Sequence, residues 1–248
     1  MILHRYGRTT LFCVFTLIAF VAAQATSSAA LINLTPTNGV NSSTSVPLSD
    51  LVSGQTMGLT VGDKIFTGFN YSNIGDMPEA DDILVLGFKD PSGNWGVSFH
   101  GAFADLPGGG ASDALIRFIV EVGEPQASQG IRISDAHLFL GGVGVGPNST
   151  FSVDETFLGL NESLSAIRST FGTGISELHD EVFFDELQQK LFVTKDIFAL
   201  AAANSNQPAR ATVIDQSFSQ TIPEPAALML AMIGMVASLG VRRRNRLA

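Results

Sequence analysis

Short apolar segments separated by turn residues fill this chain between residues 56 and 220. The segments are rich in Val, Ile, Phe and Thr, and turn-forming stretches such as DPSGN (90–94) lie between them. In IRISDAHLFL, Ile131 and Ile133 alternate with polar residues, which is the pattern of a strand with one buried face. No helix-length pattern alternates with these segments, so a parallel α/β fold does not fit. The sequence predicts an all-β fold, specifically an antiparallel β-sandwich of jelly-roll or immunoglobulin-like topology.

The predicted strands are residues 56–61, 64–72, 82–90, 95–103, 114–122, 131–142, 149–159, 191–202 and 211–220. The segment from Ile175 to Gln189 is ambiguous, because its apolar residues have helical spacing while Val182-Phe183-Phe184 is typical of a strand. We interpret it as a strand. Residues 31–220 are long enough to build one core, so we predict a single secreted domain over that range.

The N-terminus has the three parts of a Sec signal peptide. A start that contains Arg5 and Arg8 precedes an uncharged apolar stretch, and the small residues of Ala23-Gln24-Ala25 follow. We predict a signal helix that is removed with residues 1–25, and a second cleavage position lies after Ala30. The alternative is a retained membrane anchor.

The C-terminus pairs a proline-rich triplet with an apolar run. Pro223-Glu224-Pro225 precedes residues 226–241, which carry no charge, and three arginines follow. As a helix, these residues would span about 24 Å, somewhat short of a hydrocarbon core of about 30 Å. We predict a single transmembrane helix over 226–241, with Arg242, Arg243 and Arg244 on the cytoplasmic side.

Residues 223–248 resemble the PEP-CTERM sorting signal, in which Pro-Glu-Pro, a short apolar helix and arginines follow one another. The resemblance implies recognition by exosortase, a membrane transpeptidase-like enzyme, after export by the Sec machinery. It also implies a transient anchor in the inner membrane, followed by delivery to the cell surface or the extracellular matrix. The alternative is a plain single-span anchor that is never cut.

Four stretches of the body resemble segments shared by a group of PEP-CTERM surface proteins. They are VGDKIFTGFNYS (61–72), ISDAHLFLGG (133–142), LFVTKDI (191–197) and VIDQSFSQ (213–220). This second resemblance implies one continuous domain and adds no catalytic residue.

The charge and cysteine content exclude some functions. The net charge is −9, and six of the 14 basic residues lie in the two terminal segments, so the body is more acidic than the whole chain. An acidic surface repels phosphate backbones, and nucleic-acid binding is not expected. The only cysteine, Cys13, lies in the predicted signal peptide, so the mature chain would have no disulfide or thiolate nucleophile.

The histidines offer weak catalytic candidates. Ser98, His100 and Asp105 would be the members of an imagined Ser-His-Asp site, but they lie too close along one strand for a usual triad. No G-x-S-x-G elbow is present. His137 lies in an alternating strand and is expected to face solvent. We predict no enzymatic activity and keep a secreted hydrolase as an alternative.

An acidic loop is the candidate metal site. Its carboxylates are those of Asp76, Glu79, Asp81 and Asp82, in GDMPEADD. Hard oxygen ligands at short spacing suit Ca²⁺. Calcium is the only cofactor that the sequence suggests, and the alternative is a solvated loop.

The only tryptophan is the candidate sugar platform. Trp95 follows a tight turn, and with Asn94 it would form part of a glycan site; the alternative is that Trp95 belongs to the core. The sequence therefore predicts a non-enzymatic component of the surface or matrix. The alternative function is a module that binds exopolysaccharide, assisted by calcium.

Overall fold

A computed structural model describes residues 30–37 and 40–221 of the chain. The predicted signal peptide, the sorting triplet, the transmembrane helix and the arginine cluster lie outside the described residues. The strands are β1 (Leu31–Asn33), β2 (Asn41–Pro47), β3 (Gly58–Val61), β4 (Lys64–Ile74), β5 (Leu84–Lys89), β6 (Trp95–Asp105), β7 (Ser112–Val122), β8 (Arg132–Gly141), β9 (Thr150–Phe157), β10 (Ser163–Ser169), β11 (Ile175–Glu177), β12 (His179–Gln188), β13 (Lys190–Leu200) and β14 (Ala209–Thr221). A short helix, α1 (Leu48–Val52), and a 3-10 turn at Ala80–Asp82 are the helical elements of the described residues.

The strands form two sheets. The larger has eight strands in the order β1-β3-β4-β7-β13-β9-β10-β11, and the smaller has six in the order β12-β8-β14-β6-β5-β2. Neighbours pair antiparallel, except that β1 pairs parallel with β3. Strands distant in sequence are adjacent in both sheets, so the fold depends on long-range pairing.

Alternating side chains build the core between the sheets. In β7 every second residue from Ala114 to Val122 is buried. Aromatic rings meet across the two sheets: the Phe99 and Phe118 ring centroids are 6.1 Å apart, and those of Phe66 and Phe218 are 6.2 Å apart. The apolar faces of both sheets therefore enclose one common core, which is the arrangement of a β-sandwich.

Polar side chains occupy three inward-facing positions at the centre of this core. Lys195 on β13, Glu155 on β9 and Gln216 on β14 are each fully buried. The Lys195 ammonium donates to Glu155 Oε2, and to Gln216 Oε1 at 2.7 Å. Burial lowers the pKa of Lys195 and raises that of Glu155. The cluster thus places three hydrogen-bonding side chains among the apolar residues between the sheets.

The predicted all-β sandwich is confirmed as a fold class, and the choice between jelly-roll and immunoglobulin-like topology stays a prediction. All nine predicted strands occur, with ends shifted by a few residues. The ambiguous segment forms β11 and β12, so its strand interpretation is confirmed. Five elements were not predicted: β1, β2, α1, β10 and the 3-10 turn at Ala80–Asp82. No helix in the described ranges, 30–37 and 40–221, is long and apolar enough to cross a membrane.

Candidate functional site

The outer face of the six-stranded sheet carries a cleft of about 590 Å³. Its walls include outward-facing side chains of β8, β12 and β14 and the turn after β5. Because side chains alternate along a strand, residues two apart share this face. The lining combines apolar and titratable side chains: Val40, Phe88, Asp90, Pro91, Ser92, His137, Leu138, Phe139, His179, Glu181, Asp215 and Ser217.

Two histidines and a glutamate converge at one end of the cleft. His137 on β8 lies opposite Glu181 on β12, and His179 lies two residues before Glu181 on the same strand. One ligand atom from each of the three side chains lies within 4.8 Å of the other two. His137 Nδ1 is 3.5 Å from Glu181 Oε2. Within the described residues, no other set of three or more His, Cys, Asp or Glu side chains is gathered so closely.

The buried carboxylate of Asp135 orients the His137 ring. Asp135 Oδ1 lies 2.8 Å from His137 Nε2, and Ser219 Oγ lies 3.1 Å from the same nitrogen. The hydrogen bond to Asp135 raises the pKa of His137 against the opposing effect of burial. Burial would raise the pKa of Asp135, but hydrogen bonds from His137, Ser219 and Ser134 outweigh it and hold that pKa below its usual value. These contacts fix the ring and leave Nδ1 directed toward Glu181.

Asp90 forms the neighbouring wall. Its Oδ2 accepts hydrogen bonds from Ser217 Oγ at 2.7 Å and Asn94 Nδ2 at 2.9 Å. Burial opposes ionisation, but the bonds from Ser217 and Asn94 lower the pKa of Asp90 below its usual value. The side chain is therefore an anion at neutral pH, and the cleft has negative charge beside its apolar surface.

Ser98, His100 and Asp105 do not come together in the structure as the members of a triad would. His100 Nε2 does lie 2.8 Å from Ser98 Oγ, but the Ser98 hydroxyl donates to Asp215. Asp105 is buried elsewhere, where it accepts hydrogen bonds from Ser112 Oγ at 2.6 Å and from the Ala201 amide at 2.7 Å. A triad needs histidine between serine and aspartate. Here the Ser98 hydroxyl lies between His100 and Asp215, and Asp105 takes no part in these contacts.

The structure does not gather the four carboxylates of the predicted calcium loop. Asp76 Oδ2 accepts a hydrogen bond from the Leu106 amide at 2.9 Å, and Glu79 Oε1 lies 3.3 Å from Asn73 Nδ2. Asp81 and Asp82 lie on the 3-10 turn. Calcium binding by this loop stays a prediction.

Trp95 and Asn94, the two residues of the predicted glycan site, both contact other residues of the fold. The Trp95 ring packs so closely on Gly62 that a Cβ there would lie 2.3 Å from ring atoms, and the Lys89 ammonium is 4.7 Å from the ring centroid. Asn94 is held by Asp90. Trp95 thus packs against the core rather than standing free, and the exposed aromatic ring beside the cleft is Phe139 instead.

Sequence reasoning missed the cluster of two histidines and a glutamate, although it placed His137 on a solvent-facing strand. The motif HDE (179–181) puts His179 and Glu181 on one face of a strand, which is a detectable signal. The pairing of β12 with β8 cannot be predicted from the local sequence, because these strands are distant from each other along the chain.

Residues 221–244 match the family model for the PEP-CTERM protein-sorting motif. The chain therefore carries this motif, as its sequence predicted. The match begins at Thr221, the last residue of β14.

Similarity between the whole chain and individual known proteins is weaker than the match to this motif. No curated protein matches the sequence. Among solved structures, TmCBM61 in complex with beta-1,4-galactotriose is similar at a TM-score of 0.29 and 11% identity, covering 61% of this chain and 88% of that one. A carbohydrate-binding module described for promiscuous specificity is similar at a TM-score of 0.27 and 10% identity, covering 65% of this chain and 58% of that one. Likenesses at this level assign no ligand to the chain.

Proposed function

We propose that this chain is an exported, non-enzymatic protein that exosortase sorts to the cell surface or extracellular matrix. The observation that carries the proposal is the PEP-CTERM motif at residues 221–244. The Sec machinery and exosortase would be its partners during export. The predicted helix over 226–241 would hold it transiently in the inner membrane.

The position of the motif fits removal of the tail. β14 lies between β8 and β6 inside the six-stranded sheet, and its pairing with β8 extends to Thr221. The matched region thus begins at the last residue of the last strand of the described sandwich. Cleavage beyond this strand would release the tail without removing any strand of either sheet.

Replacing the sorting triplet by Pro223→Ala/Glu224→Ala/Pro225→Ala is expected to stop processing. The full-length chain should accumulate in the membrane fraction, and the shortened surface form should fall by at least about tenfold, because proline holds the backbone extended for an enzyme to grip. Terminal-peptide mass spectrometry on the two fractions measures this. The matched control, Pro78→Ala/Glu79→Ala, changes a Pro-Glu pair in the body and should leave processing unchanged. A wild-type surface protein that still contains Arg242 to Ala248 would show a permanent anchor instead.

A second candidate function is binding of an extracellular polysaccharide in the cleft. Phe139 is 44% exposed and lines the cleft with Phe88, beside the acidic side chains of Asp90 and Glu181. Carbohydrate sites combine apolar surface for the sugar face with a few placed polar groups. This lining therefore favours a sugar over a purely apolar ligand.

Phe139→Ala is expected to weaken retention on the host's own extracellular polysaccharide by at least about fivefold, because it removes the exposed ring of the cleft. Affinity electrophoresis of the full-length chain measures retention. Phe171→Ala is the matched control, since Phe171 is 46% exposed but lies between β10 and β11, away from the cleft. Equal loss in both variants, or no retention of the wild type, would contradict the proposal. Shortening of the polysaccharide would favour the hydrolase alternative.

A further inference from the structure

Strand pairing alone brings three metal-ligating side chains to one point. His137 and Glu181 are directly opposite on neighbouring antiparallel strands, and His179 is on the same face of β12 as Glu181. Opposite residues have Cβ atoms about 4.5–5.5 Å apart, and residues two apart on a strand project side by side. The cluster is thus held by two rigid strands rather than by a loop.

The donor atoms are close to the spacing that a metal ion requires. In a tetrahedral zinc site the ligand atoms lie about 2.0–2.2 Å from the ion, so that two ligands are about 3.4 Å apart. His137 Nδ1 and Glu181 Oε2 are 3.5 Å apart. All three donors lie within 4.8 Å of one another, and His179 and Glu181 are exposed. Small rotations of the His179 and Glu181 side chains would bring all three donor atoms within bonding distance of one ion.

Asp135 gives His137 the carboxylate hydrogen-bond partner that metal-ligating histidines commonly have. Such a ring commonly hydrogen-bonds a carboxylate through its second nitrogen, which fixes the tautomer and the ring orientation. Asp135 Oδ1 is 2.8 Å from His137 Nε2, and the Asp135 side chain is only 8% exposed. Its position leaves Nδ1 as the free donor.

We propose that His137, His179 and Glu181 bind one divalent transition-metal ion, with zinc as the best match. Two imidazoles and one carboxylate suit Zn²⁺ and its neighbours, whereas Ca²⁺ takes six to eight oxygen ligands. All three residues line the cleft, so the fourth position on the ion faces a space of about 590 Å³ where water or an oxygen of another molecule fits. This site goes beyond the sorting and polysaccharide proposals and rests on neither.

The test uses the tag-free full-length chain in mild detergent, with Zn²⁺ competed against a chromogenic chelator. One zinc per chain is expected for the wild type. Asp135→Asn should weaken zinc affinity by about 10–100-fold, and His137→Ala, His179→Ala and Glu181→Ala should each weaken it further. Cobalt(II) substitution should give a visible absorption spectrum in the wild type that disappears in His179→Ala.

His100→Ala is the matched control, because His100 lies on β6 and outside the cluster. Its zinc affinity should equal that of the wild type. Circular dichroism without metal should be the same for all variants, so that loss of binding is not loss of fold. The proposal is overturned if the folded wild type does not bind zinc at a free zinc concentration of about 1 mM, which would mean a binding free energy weaker than about 4 kcal/mol. It is also overturned if His179→Ala and Glu181→Ala bind zinc as the wild type does.

Discussion

Replacing Lys195 with methionine is expected to lower the free energy of unfolding by about 3–5 kcal/mol. Lys195, Glu155 and Gln216 are fully buried between the two sheets, and the ammonium donates to both neighbours. Methionine fills a similar volume but donates nothing, so the Glu155 carboxyl would have no partner in a medium that cannot solvate it. Urea unfolding of the full-length chain in mild detergent, followed by the fluorescence of the single tryptophan, measures the loss.

The loss should depend on pH in a defined direction. In the wild type, burial raises the pKa of Glu155 above its usual value, and the charge of Lys195 opposes that rise. Without Lys195 the folded-state pKa rises further, so the folded variant binds more protons than the unfolded chain. Its stability then falls as pH rises above the unfolded value of about 4.3, and the deficit against the wild type, in which the Glu155 pKa is raised less, grows once pH passes the folded-state pKa of the wild type.

An apolar replacement of the whole cluster is the control. Lys195→Met/Glu155→Leu/Gln216→Leu leaves no unpaired polar group, and such replacements of buried pairs are often neutral or stabilising by about 1–4 kcal/mol. We expect the triple variant to recover most of the lost stability. If Lys195→Met alone were as stable as the wild type at pH 7, that result would contradict the burial of the Lys195–Glu155 pair.

The strand segments of the sandwich could be predicted from sequence because burial on one face leaves an alternating pattern. β7 and β8 show it clearly, and both were predicted within a few residues. β2 and β10 were missed because their sequences, NSSTSVP and SLSAIRS, are mostly polar. Such strands are held by their pairing partners, β5 and β9, rather than by their own apolar content.

The candidate site could not be predicted because it depends on which strands are neighbours. The acidic loop and Trp95 are local features of the sequence, but hydrogen bonds and packing within the fold engage their side chains. His137 and Glu181 are opposite each other only through the pairing of β8 with β12. The polar core residues could have been recognised from sequence, because Lys195 and Glu155 stand where the alternating pattern of their strands otherwise has buried apolar residues.

Replacing Phe118 with alanine is expected to destabilise the fold by about 3–5 kcal/mol. Phe118 is 2% exposed on β7, near the middle of the eight-stranded sheet. Its ring centroid lies 6.0 Å from that of Phe66, 5.7 Å from that of Phe69 and 6.1 Å from that of Phe99. The substitution removes apolar burial and leaves a cavity that strands from both sheets cannot readily close. The same urea titration measures the change.

Phe183→Ala is the matched control, because it deletes the same atoms from a ring that is 67% exposed on the edge strand β12. Its effect should stay within about 0.5 kcal/mol, as for most surface changes. Phe118→Leu should cost clearly less than Phe118→Ala, since leucine fills part of the space and keeps the apolar contact. Equal losses for Phe118→Ala and Phe183→Ala would mean that the two sheets do not share the aromatic core on which the sandwich depends. An ordered series, with alanine at 118 most harmful and alanine at 183 nearly neutral, would place that core between β7 and the facing strands β6 and β14.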